Sequence, residues 1–139
     1  MSVRYLSVEE VLHAHGRVKA IPFARVRDNV HRMELLESAL ARPQHAAQYE
    51  EADLVRQAAT LLWGLVRDHP FSDGNKRTAY VATETFLDLN GHTLRSASVD
   101  ARFRLLVSVA DGRSTVDDVE RSLRRHIRPL RPPRSERSR

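Results

Sequence analysis

The sequence contains no cysteine, which excludes disulfides, thiolate-bound metals and thiol nucleophiles. No apolar run approaches the roughly 18 residues that suggest a membrane span. The first residues, MSVRYLSVEE, lack the uninterrupted apolar stretch of a secretory signal. A cytoplasmic protein with no membrane partner is therefore expected. No segment shows sustained alternation of apolar and polar residues, so no strand is predicted. No internal repeat appears, and no linker precedes the C-terminal residues. At 139 residues the chain is too short for two well-cored domains.

What is abundant is charge and helical period. Charged residues make up 29% and apolar residues 41%, a soluble globular balance. The formal net charge is +5, which invites a nucleic-acid partner. Its placement weakens that reading. Residues 128–139 hold Arg128, Arg131, Arg134, Arg137 and Arg139 against Glu136 alone, leaving residues 1–127 near neutrality at +1. The expected division is a domain over 1–127 and a disordered Pro/Arg-rich tail over 128–139, nucleic acid being a partner for the tail alone.

Ser7 and Glu10 have the spacing of a capping box and open a helix carrying Val8, Val11 and Leu12. Residues 21–31 lack helical period and contain Pro22, so a loop or short extended flap is predicted there. Met33 to Ala41 is periodic and is expected to stop before Pro43. Residues 52–68 carry the widest apolar stripe, that of a central buried helix. His69-Pro70 should break it. A helix then runs from about Asn75 to Asn90, with Gly91 suited to its left-handed end. Val99 to Ala110 is a further helix, ended by Asp111-Gly112. Thr115 caps a last one bearing Val116, Val119, Leu123 and Ile127. The predicted fold is a single all-α bundle of about six or seven helices.

One segment stands apart: His69-Pro70-Phe71-Ser72-Asp73-Gly74-Asn75-Lys76-Arg77. It turns between two helices and opens the second. A helix N-terminus offers unpaired N–H groups and the positive end of the dipole, an anion site. Gly74 permits close backbone approach to a phosphate. Lys76 and Arg77 add cations that helix stability alone does not favour there. Asp73 supplies a hard oxygen ligand, and His69 a base near neutral pH. Phe71 reads as a buried anchor. Taken together these parts suit phosphoryl or nucleotidyl transfer. Singly, Asp73 could be a helix cap, and Lys76 and Arg77 solvated surface.

The run HPFSDGNKRTA resembles the signature of the Fic/Doc superfamily. Lys76 stands where Fic enzymes have glycine, which is similar to the death-on-curing (Doc) toxin branch. The segments from Tyr5, from Glu34 to Gln44 and at Tyr49 also resemble the family's helices, in the right order. The resemblance implies an all-α Fic/Doc-like fold. It implies His69 as general base, Asp73 as Mg²⁺ ligand, and Gly74 and Asn75 as contacts to ATP phosphates. Lys76 and Arg77 would bind phosphate oxygens and neutralise transition-state charge. The lysine implies transfer of the γ-phosphate to a protein hydroxyl; the alternative is AMP transfer, as in Fic proteins. The family's target class is a Tu-type translation elongation factor. A partner antitoxin is implied, because no Ser/Thr-x-x-x-Glu-Gly/Asn inhibitory motif occurs in the chain. Arg27 to Met33 is longer than its family counterpart and lacks its glycine. A non-enzymatic basic nucleic-acid-binding protein is the rival class. Trp63, Gly64 and the dispersed His13, His15, His31, His45, His92 and His126 read as packing or surface. Arg102, Arg104, Arg124 and Arg125 read as solvated helix faces.

Overall fold

The molecule is organised around its most apolar helix. In a computed structural model, described over residues 2–95 and 98–130, helix α4 spans Leu54–Asp68. Asp53 caps it, its carboxylate accepting the Arg56 N–H at 2.9 Å. Nine of its fifteen residues are buried, so packing on several sides, more than intrinsic propensity, holds it helical. Around it lie α1 (Val8–Lys19), α3 (Met33–Glu50), α5 (Asn75–Leu89), α6 (Val99–Ala110) and α7 (Val116–Arg124). Helices α3, α5, α6 and α7 all contact α4 directly, and α1 packs on α5 and α3. One contiguous core unites them, from Leu12 and Leu36 through Leu61, Leu62 and Leu65 to Phe86, Val109 and Val119. Among the described residues no helix is long and apolar enough to cross a membrane. The all-α bundle, with seven helices among the described residues counting the single-turn α2 (Phe23–Val26), is the one the sequence predicts.

The helix ends follow local chemistry. Ser7 and Glu10 form the reciprocal capping box of α1, and Thr115 and Asp118 form that of α7. Gly91 and Gly112 adopt the positive φ expected after α5 and α6.

Three expectations are corrected. Helix α3 does not stop before Pro43 but continues to Glu50. Leu36, Ala39, Pro43 and Ala46 form one buried 3-4-3 stripe, whose burial against α4 outweighs the hydrogen bond that proline forfeits. Residues 21–31 are not simply a loop. They hold α2 and a 3₁₀ turn at Arg27–Asn29, and Val30 is extended, bridging Phe71. Among the described residues there are also two three-residue strands, β1 (His92–Leu94) and β2 (Ile127–Pro129). They pair antiparallel with His92 opposite Pro129 and Leu94 opposite Ile127. So Arg128 and Pro129, read from sequence as tail, lie in a ladder. Three residues are too few for alternation to show. The rest of that tail, 131–139, lies outside the described residues.

Candidate active site

The loop between α4 and α5, with the first turn of α5, carries every site residue singled out from the sequence. Helix α4 ends at His69, whose backbone sits in the left-handed region at φ 54°. Pro70 makes continuation impossible, and the turn leaves His69 exposed while Pro70 and Phe71 are buried. Phe71 is 1% exposed, the anchor expected of it.

Asn75 holds the loop shut from inside. Its Oδ1 accepts the Phe71 N–H at 2.9 Å, and its Nδ2 donates to the Phe71 carbonyl at 2.9 Å. The side chain is 4% exposed. The amide thus bonds the backbone at both ends, and the Asn75 N–H lies in the first turn of α5. On the other flank, Ser72 N–H donates to the Asn29 carbonyl and His31 N–H to the Pro70 carbonyl, at 2.9 and 2.7 Å. The Asn29–Arg32 segment thereby clamps the loop from outside.

Gly74, at φ 77°, is the N-cap of α5, and no side chain caps that helix. Asp73 is therefore not the cap. The first-turn N–H groups of a fifteen-residue helix face the loop mouth without side-chain acceptors. Lys76 and Arg77 are exposed in that same turn. Arg77 reaches back to the Val18 carbonyl at 3.2 Å, a cation on the negative end of α1. Lys76 makes no hydrogen bond or ion pair among the described residues.

Two residues that sequence reasoning passed over belong to this assembly. His15 is wholly buried. Its ring stacks on Phe71 at 3.8 Å with an 8° interplanar angle. Nε2 lies 3.1 Å from Asn29 Oδ1 and Nδ1 lies 2.8 Å from Thr78 Oγ1. An amide oxygen only accepts, so Nε2 carries the proton and Nδ1 accepts from the threonine hydroxyl. Burial pushes the imidazole pKa down, against the Asn29 hydrogen bond and nearby Asp73. The ring thus joins α1, the 3₁₀ turn, the loop and α5. The second residue is Lys19, whose Nζ lies 2.8 Å from Asp73 Oδ1. That hydrogen bond holds the exposed Asp73 carboxyl below its usual range. A signal for both exists in the sequence. Val8, Val11, Leu12, His15 and Lys19 share one face at helical spacing, so two polar residues extend an apolar stripe.

The sequence profile of the Fic/DOC family matches residues 5–87, which run from the approach to α1 through nearly all of α5. The chain belongs to the Fic/DOC family. It is 38% identical to Toxin Doc of Mycolicibacterium smegmatis over 122 residues, 86% of this chain and 90% of that protein. It is 38% identical to Protein kinase doc of Escherichia phage P1 over 90 residues, 64% of this chain and 70% of that protein. These relatives put it in the Doc branch. The Fic/DOC loop offers one carboxylate for a divalent cation; among the described residues no cluster of three metal-binding side chains exists. That suits Mg²⁺ shared with a polyphosphate, which needs only one or two protein carboxylates. It does not suit a metal caged by protein alone.

Proposed function

We propose that this Doc-branch protein is a toxin whose loop transfers the γ-phosphate of ATP to a hydroxyl side chain of a protein target. The observation that carries the reading is the uncapped N-terminus of α5. It bears an exposed Lys76 with no partner among the described residues, and exposed His69 and Asp73 precede it in the adjoining loop. The name of the phage relative, Protein kinase doc, supports the same chemistry.

In this reading the α5 N–H groups, Lys76 and Arg77 bind phosphate oxygens and meet the charge that develops in transfer. His69 takes the proton from the attacking hydroxyl. The hydroxyl oxygen bonds to the γ-phosphorus, the bond from that phosphorus to the bridging oxygen breaks, and ADP leaves. Mg²⁺, when bound, neutralises phosphate charge, and Asp73 holds it. The proposed target is a translation elongation factor of the Tu type, so the outcome is arrested translation. A small antitoxin is the proposed silencing partner.

Incubation with a bacterial lysate, Mg²⁺ and ATP labelled separately at the α- and γ-phosphates tests the proposal. Label should pass to one protein from the γ position only, and His69→Ala should abolish it. Label from the α position would establish AMP transfer instead. Salt-sensitive duplex DNA binding, with growth arrest that survives His69→Ala, would favour the nucleic-acid rival.

A further inference from the structure

Lys19 ends α1 one turn beyond His15. Its stem lies across Gly74, where a built Cβ would sit 2.8 Å from Lys19 Cδ. Its ammonium lies 2.8 Å from Asp73 Oδ1. The lysine side chain is 28% exposed and the aspartate 66%, so the ammonium rests on the carboxylate at the mouth of the loop.

A hard divalent ion is drawn to a carboxylate by its charge. An ammonium in hydrogen-bond contact cancels much of that charge and repels a second cation. An ion pair this exposed is weak and opens readily. Lysine carries a compact charge on a flexible stem, and this stem already lies against the first residue of the anion site. A polyphosphate at the α5 N-terminus therefore supplies both what the metal needs and a new partner for Lys19.

We propose that Lys19 is a charge gate on the site. In the free protein it neutralises Asp73 and weakens binding of a divalent ion alone. When the metal arrives with a nucleotide, Lys19 moves its ammonium to the phosphate oxygens and releases Asp73. The site is thus loaded by a metal–nucleotide complex, with Lys19 as a phosphate-binding residue beside Lys76 and Arg77. The inference rests on the nucleotide site proposed above.

Mn²⁺ titration followed by electron paramagnetic resonance tests it. Wild type, Lys19→Met, Lys19→Arg and Asp73→Asn are compared alone and with adenylyl imidodiphosphate, thermal melts confirming folding. Lys19→Met should bind free Mn²⁺ roughly two- to fivefold more tightly than wild type. It should bind the Mn²⁺–nucleotide complex more weakly, and Lys19→Arg should stay near wild type on both. Equal or weaker Mn²⁺ binding in Lys19→Met, with binding lost in Asp73→Asn, would overturn the gate and leave the site reading standing. Undiminished nucleotide-complex binding in Lys19→Met would overturn the transfer to phosphate. Unchanged Mn²⁺ binding in Asp73→Asn would remove the metal assignment, and the gate with it.

Discussion

His69 shows how a residue proposed as catalytic can oppose stability. Its left-handed backbone is a conformation that costs a residue with a Cβ about 1 kcal/mol more than glycine. His69→Gly should therefore raise the melting temperature while abolishing label transfer. A variant that loses both stability and activity would show that the imidazole is held by packing instead. Asn75 makes the opposite case. Its amide closes the loop on Phe71 from a buried position. Asn75→Ala leaves a buried N–H and carbonyl unpaired and should cost about 1–3 kcal/mol in chemical denaturation. Asn75→Asp keeps the acceptor for the Phe71 N–H and loses the donor. Comparing the two separates the two bonds.

Among the elements, α4 and α5 are finished differently at their N-termini. Asp53 caps α4 and also receives the Arg124 guanidinium of α7 at 2.8 Å. Asp53→Ala should lower stability by about 1 kcal/mol without changing label transfer, since the residue starts the helix that ends at His69 and lies at its far end. By contrast α5 carries no cap, and its free N–H groups are the proposed phosphate cradle. The Asn29–Arg32 segment is legible only in part. Pro22 and the lack of period announce an irregular stretch. That it would clamp the loop through Asn29 and Pro70 carbonyls depends on chain segments about forty residues apart, which no local pattern encodes. Pro43 is the converse: a local rule predicts a stop, and burial on α4 overrides it.

For the whole molecule, acid sensitivity follows from which groups are held in one protonation state. Burial lowers the His15 pKa in the folded protein. The unfolded chain, with an ordinary histidine near 6.5, then binds more protons over that interval. The contribution of neutral His15 is complete above that pH and is lost as pH falls through the folded value. The depressed carboxyls act lower. Glu10, through the Ser7 backbone, and Asp53, whose hydrogen bonds outweigh its burial, both fall below their usual values. Their stabilisation is present above the unfolded carboxyl range and disappears as pH drops through the folded values. Melting temperatures measured from pH 8 to pH 3 should thus decline in two stages. His15→Gln should remove the first stage and leave the second. Parallel curves for the two proteins would refute the assignment to His15.

The sequence by itself determined the main helices, the capping boxes of α1 and α7 and the loop proposed to carry the chemistry, because capping boxes, apolar stripes and turn residues act within a few positions of one another. It also determined that His69, Asp73, Lys76 and Arg77 share one turn, since they are neighbours in the chain. Only the tertiary structure decided that His15 would stack under Phe71, that Lys19 would cover Asp73 and that Ile127–Pro129 would pair with His92–Leu94. These contacts join residues 33 to 56 positions apart. Their cause is the packing of α1 on α5 and the shared core. It turns two polar residues that extend an apolar stripe into the inner and outer supports of the proposed site.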